Sequence, residues 1–329
     1  MNKKNSLDDV LNAINKAGKD LNVGTADSSS STNIDFVSIG CQRLDDILGG
    51  GIPSGRIIEI FGESGQGKST LALFIIAQFQ KLGKRAAFVD AEFSFASDYA
   101  VDIGVNLSEL IFTTPSSGES AFTAIRSMIE TGVVDLIVVD SSAALVPEKE
   151  MDSDFYGQSV ALSARMISRG LRVITGIAAQ NKTTVIFISQ VRSKVGMMSF
   201  GGVTTEATGG KALKFYSSIR LKVRTVKKLK KGEQVIGNKL AIIAEKNKVG
   251  APFKKAEIDL IFSKGIDIDG MRFDTAVERN IVVKKGNTYY FKDEKLGVGR
   301  EAAIEYILAN DKKLFNKIMK DVDKGLDKK

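Results

Sequence analysis

The chain has 329 residues, of which 26% are charged and 43% hydrophobic, and a formal net charge of +8. This length suffices for one large core and a smaller satellite domain, and the composition is that of an ordinary globular protein. A single cysteine, Cys41, excludes an internal disulfide and a cysteine-built zinc site, and the lack of histidine excludes imidazole acid–base chemistry and histidine metal ligation.

Residues 1–22 place Leu7, Val10, Leu11, Ile14 and Leu21 near helical spacing, which predicts a short amphipathic helix. The N-terminus is basic but lacks the apolar segment of a secretory signal, and no apolar run reaches the length of a membrane span. A reducing, cytoplasmic location is the expectation. Residues 23–33 form a polar, serine-rich linker. The positive balance suits a polyanionic partner, although a lysine-rich host proteome gives the same bias.

From Ile34 to Ile268 short apolar runs alternate with helical patterns. Ile57–Phe61, Arg85–Asp90, Leu136–Asp140 and Thr184–Ser189 read as strands buried on both faces; helices are predicted near Leu71–Leu82, Ser120–Glu130 and Ser159–Gln180. This is βαβ wiring, and the fold class is α/β with a mainly parallel twisted sheet carrying helices on both faces. Two further strands, Ile219–Val226 and Lys239–Lys246, flank a lysine-rich turn at 227–232 and predict an antiparallel hairpin. Residues 269–329 change character and read as a small α/β domain. The expected units are therefore 1–33, 34–268 and 269–329.

Between the first strand and the first helix, Gly62-Glu63-Ser64-Gly65-Gln66-Gly67-Lys68-Ser69-Thr70 fits G-x-x-x-x-G-K-[ST] at every fixed position. The glycines let backbone N–H groups turn toward phosphate oxygens, and the helix start adds unpaired donors. Lys68 would reach the β/γ-phosphates and the Ser69 hydroxyl would hold Mg2+. The sequence therefore predicts a nucleoside-triphosphate site.

Several strand ends supply further chemistry. Asp140 closes an apolar strand and suits the water shell of Mg2+, or else caps the next helix. Glu92 lies just beyond the strand after the phosphate-loop helix, where a carboxylate could activate water; Asp90 competes for that role. Gln190 ends another strand, where an amide could report the γ-phosphate. It leads into Val191–Gly210, a long glycine-rich stretch carrying Arg192 and Lys194 that reads as structureless. A second loop, Glu148–Ser159, precedes a helix with Arg165, Arg169 and Arg172 along one side, either a solvated basic face or a phosphate-backbone stripe.

Ordered blocks extend this pattern: Gly55–Gly62 into the phosphate loop, Phe88–Glu92, Val133–Pro147, Ile186–Arg192, Thr208–Tyr216 and Lys246–Lys254. On these blocks the chain resembles the bacterial RecA recombinase family, including its phage-borne relatives, from about Ile34 to Tyr290. The resemblance implies roles residue by residue. Glu92 matches a water-activating glutamate and Gln190 a γ-phosphate-sensing glutamine. Tyr99 falls where the family stacks a tyrosine on adenine. Glu148–Ser159 and Val191–Gly209 match two DNA-binding loops. Arg165, Arg172, Arg192 and Lys194 match backbone contacts, Val160 and Val195 match side chains that separate base triplets, and Gly209 and Gly210 close the second loop. Lys246 and Lys248 match lysines that reach a neighbouring subunit's ATP, and Phe215 matches a position coupling ATP state to the subunit interface. The N-terminal helix resembles a polymerisation arm, and the C-terminal part resembles a small domain that gathers duplex DNA.

The same resemblance implies ATP and Mg2+ as cofactors. It implies single- and double-stranded DNA, further copies of the chain in a helical filament, a LexA-like repressor and a single-strand-binding protein as partners. The implied activity is a DNA-dependent ATPase that catalyses homologous pairing and strand exchange in recombinational repair. A ring-forming helicase or repair ATPase of the same fold and a non-catalytic ATP-binding filament protein are the alternatives. Three departures stand out. The phosphate loop reads Glu-Ser-Gly-Gln where the family usually has Pro-Glu-Ser-Ser. Ala96 replaces an aspartate near adenine, and the tail after Phe315 is mixed in charge rather than acidic.

Overall fold

The computed structural model describes residues 6–17, 23–25, 33–151, 160–192, 206–207, 211–262, 264–310 and 318. Its elements in chain order begin with α1 (Leu7–Ala17), β1 (Phe36–Val37), α2 (Gln42–Leu48), β2 (Ile52–Pro53), β3 (Ile57–Gly62), α3 (Lys68–Lys81), β4 (Ala86–Asp90) and α4 (Ser97–Ile103). Next come β5 (Ile111–Thr113), α5 (Gly118–Glu130), β6 (Leu136–Asp140), α6 (Glu148–Met151), α7 (Val160–Asn181), β7 (Thr184–Arg192), β8 (Glu206–Ala207) and α8 (Lys211–Tyr216). β9 (Ile219–Lys231), β10 (Gln234–Asn247), β11 (Lys255–Ile261), β12 (Gly265–Ile266) and α9 (Ile268–Glu278) lead to β13 (Val282–Lys285), β14 (Thr288–Phe291), β15 (Glu294–Val298) and α10 (Arg300–Asn310).

Among the described residues the main sheet runs β12-β11-β10-β9-β3-β7-β6-β4-β5. The half from β9 to β5 is parallel, and β9 to β12 is an antiparallel meander. The α/β class and the mainly parallel core agree with the sequence pattern. Strand alternation explains why both faces are covered. Ile58 and Ile60 of β3, with Leu136, Val138, Ile186 and Ile188, pack in one apolar cluster with α3. Ile57, Ile137, Val139, Val185 and Phe187 face the other way and pack with α5 and α7. Each such large side chain contributes roughly 1.5–3 kcal/mol by leaving water. A third cluster, built on Phe273, Val282, Tyr289, Phe291 and Leu296, belongs to α9, α10 and the β13–β15 sheet.

Local rules set the helix starts. Ser117 caps α5, accepting from Ser120 N at 3.0 Å while the Ser120 hydroxyl accepts the Ser117 N–H, also at 3.0 Å. α1 is amphipathic and buries none of its residues, leaving Leu7, Val10 and Ile14 exposed. Residues 18–22, where that helix was expected to continue, lie outside the described residues, as does most of the linker.

Three expectations need correction. Lys227–Lys231 are not a turn: β9 runs through them, and the reversal falls at Gly232-Glu233. The stretch after Gln190 is not wholly without structure, since β7 continues to Arg192 and β8 returns to pair Val191 with Ala207 and Arg192 with Glu206. Glu148–Met151 likewise form a helical turn, and 152–159 lie outside the described residues.

Candidate functional site

β3, β4, β6 and β7 all end at one edge of the sheet, and their ends carry the site. β3 stops at Gly62, where an added Cβ would run into the Val223 carbonyl of β9, so the loop leaves the strand where only glycine fits. Gly67 turns the chain into α3 with φ +83°, a left-handed conformation that L side chains rarely adopt. Gly62 to Thr70 thus wraps the N-terminus of a 14-residue helix, whose unpaired N–H groups and dipole favour an anion.

A cavity of about 310 Å³ opens over this loop. It is lined by Ser64, Gly65, Gln66, Gly67, Lys68, Ser69 and Thr70, by Glu92, Tyr99, Asp140 and Gln190, and by Ile188, Asn238, Leu260 and Phe262. Lys68 is buried, and its Nζ donates to the Glu63 carbonyl at 2.7 Å. Burial holds its ammonium below the ordinary lysine range, opposed by the carboxylates of Asp140 and Glu92. Asp140 is 5% exposed, and burial pushes its carboxyl up to about 6 against a hydrogen bond from Ser69. Asp140 is not a helix cap: Ser141 occupies the N-cap of the short 3-10 turn that follows.

Asp90 and Glu92 differ in what their carboxylates touch. The Asp90 carboxylate accepts the backbone N–H groups of Ser94 at 3.1 Å and Phe95 at 3.0 Å, and so closes its own turn. Glu92 faces the cavity, where its Oε1 accepts from the Ser141 hydroxyl and from Gln190 Nε2 at 3.1 Å. Tyr99 lies on α4, its hydroxyl 2.9 Å from Thr70 Oγ1. Asn238 of β10, Leu260 of β11 and Phe262 just beyond it complete the wall, and sequence reasoning passed over them. Their signal is only tertiary, because the hairpin folds back over the phosphate loop.

Other expected residues lie elsewhere. Lys246 and Lys248 do not line the cavity; Lys246 pairs with Arg220 of β9, which pairs with Glu59 of β3. Lys246 Nζ donates to the carbonyls of Lys214 at 2.6 Å and Phe215 at 3.1 Å, capping α8. Phe215 itself is 67% exposed. Arg165 and Arg172 are exposed on α7, and Arg165 and Arg169 line a groove beside α5 with Phe122 and Met166. Lys194, Val195, Gly209 and Gly210 lie outside the described residues; Val160 and Arg192 are placed by their backbone alone.

The arrangement gathers an ammonium, a helix N-terminus, hydroxyls, two carboxylates and amides around one cavity. Ser69 and Asp140 are hard oxygen donors in contact with each other, a set that fits Mg2+. Fold and site together define a phosphate-loop nucleotide-binding protein with a RecA-type core. The RecA N-terminal domain profile matches residues 5–267, and the RecA C-terminal domain profile matches residues 270–327. The chain is 45% identical to Protein RecA of Campylobacter hominis, over 94% of this chain and 89% of that one. It is 45% identical to Protein RecA of Wolinella succinogenes, over 96% and 90%. A crystal structure of the RadB recombinase superposes with a TM-score of 0.52 at 26% identity, covering 70% of this chain and 98% of that chain. The chain belongs to the RecA family of recombinases. Among the described residues no helix is long and apolar enough to cross a membrane.

Proposed function

We propose that this chain is a DNA-dependent ATPase that assembles on single-stranded DNA and exchanges strands with a homologous duplex. The carrying observation is the convergence of Lys68, Asp140, Glu92 and Gln190 on one cavity from four separate strands and their loops. Lys68 and the loop N–H groups bind and orient the triphosphate. Mg2+, held through Ser69 and the water shell at Asp140, supplies charge neutralisation at the β/γ-phosphates. Glu92 orients the attacking water and accepts its proton. Gln190 senses the γ-phosphate by exchanging its Glu92 contact for a phosphate oxygen, and β7 carries that change to the DNA loops.

Lys246 and Lys248 act in trans. Supporting this, Lys246 of β10 points its Nζ to the end of α8, outside its own chain's cavity, and burial together with Lys248 and Arg220 lowers its pKa, which favours an anionic neighbour. The active form is then a helical filament with ATP between subunits, and α1 with its exposed apolar face packs on the next copy. Arg165, Arg172, Arg192 and Lys194 contact phosphates, with Val160 and Val195 between bases and Gly209 and Gly210 closing the second loop. Functional units at 1–33, 34–268 and 269–329 follow, the last served by its own apolar cluster. A LexA-like repressor and a single-strand-binding protein complete the proposed partners.

ATP turnover with and without single-stranded DNA tests the reading. DNA should stimulate hydrolysis, and electron microscopy with a non-hydrolysable analogue should give helical filaments. Unstimulated turnover with closed rings would favour the ring-forming alternative.

A further inference from the structure

The phosphate loop of this chain is rich in glycine and poor in restraint. Gly65 has φ +72° and open space around its Cβ position, and Gly67 follows at φ +83°. Such a loop is entropically expensive to hold in one shape. One side-chain tether is Lys68 on the Glu63 carbonyl. Another comes from Gln66, whose Oε1 accepts the backbone N–H of Thr225 in β9. A backbone N–H can only donate, so this contact fixes which end of the amide faces β9. The amide oxygen is committed there, and the two Nε2 hydrogens are the donors Gln66 has left to offer a phosphate in the cavity it lines.

The position of Thr225 gives the tether its meaning. Leu240 pairs with Thr225 and Lys239 with Lys227, so Val226 is the extra residue of a β-bulge. Beyond the bulge β9 and β10 form an arm whose outer strand exposes Lys227, Lys228, Lys230 and Lys231. A bulge bends and twists a strand, and Gln66 is bonded at the base of that bend.

We infer that Gln66 is a positioning residue that ties the phosphate site to the lysine-bearing β9–β10 arm, so that filling the cavity steadies the arm. A phosphate accepting from Nε2 polarises the amide and strengthens Oε1 as an acceptor for Thr225. The coupling deepens the triphosphate reading of the same cavity and rests on it, whereas the tether itself exists without nucleotide.

Hydrogen exchange read by mass spectrometry tests both, on the full chain with and without ADP and Mg2+. Without nucleotide, Gln66→Ala should exchange about five- to tenfold faster than wild type at Thr225, one net hydrogen bond of protection. ADP, at a concentration shown by titration to saturate each protein, should slow exchange across residues 225–240 in wild type but not in Gln66→Ala. Gln66→Glu keeps an acceptor but presents an anionic oxygen in place of the donors. It should keep the nucleotide-free protection and bind ADP about tenfold more weakly. Wild-type protection at Thr225 in Gln66→Ala, or an undiminished ADP response of its arm, would overturn the proposal. If wild type binds no ADP, the triphosphate reading and the coupling both fall, while the nucleotide-free comparison still decides the tether.

Discussion

Gln190 Nε2 donates to Glu92 Oε1 at 3.1 Å, joining the end of β7 to the loop after β4. The donor that would greet a γ-phosphate is thus held by the carboxylate that would activate water. Glu92→Gln should keep ATP binding and filament formation but lower DNA-stimulated turnover by about 100-fold or more. Gln190→Ala should bind ATP normally and lose the DNA stimulation. Rapid-quench turnover with parallel nucleotide titrations separates the two, and a Glu92→Gln variant hydrolysing at the wild-type rate would remove Glu92 from the chemistry.

Asp140 makes stability depend on pH. Its folded pKa of about 6 lies above the ordinary value of 3.8 because the carboxylate is buried. A raised carboxyl favours the fold fully below 3.8 and loses that contribution as pH rises through about 6. The nucleotide-free Asp140→Asn variant should therefore gain stability over wild type as pH climbs from 5 to 8, by about 1.4 kcal/mol across that range. It should lose Mg2+-dependent nucleotide binding. Urea melts at both pH values read the first effect, and an equal difference at the two would contradict it.

The trans role of Lys246 has a mixing test. Lys68→Ala and Lys246→Ala should each be inactive alone. In a 1:1 co-filament about a quarter of interfaces pair an intact Lys68 with an intact Lys246 from the neighbour. Turnover should recover toward that fraction. No recovery above the sum of the single variants would return Lys246 to a structural role on α8.

Exposed Arg165 and Arg172 should contribute phosphate contacts. Each alanine substitution should reduce the slope of log affinity for single-stranded DNA against log salt by about 0.7. The melting transition should stay within about 0.5 kcal/mol of wild type, as for other surface changes. Fluorescence-anisotropy titrations at several salt concentrations measure the slope, and an unchanged slope would leave these arginines as a solvated face.

What could be read in advance was local. β3, the glycine spacing and α3 are contiguous, so one window of sequence holds their full signal. The roles of Asp90 and Glu92 could not be separated that way, because the difference lies in Ser94 and Phe95 turning back on one carboxylate and Gln190 reaching across to the other. Phe262 and Asn238 carry no local mark of a ligand wall; they reach the cavity only because the meander folds over the loop. The lysines at 227–231 suggested a turn by their charge, yet the two-residue reversal at Gly232-Glu233 leaves the strand free to run through them.

The cavity straddles the join between the parallel half of the sheet and the meander, taking Lys68, Glu92 and Gln190 from one and Asn238, Leu260 and Phe262 from the other. The meander's contacts are between neighbours in sequence, while β3 must wait for β7 and β9 from much later in the chain. Local contacts of the first kind close quickly and distant ones slowly. The full wall of the cavity is therefore absent until those distant pairings are made, and a nucleotide can be held from both sides only once they have formed.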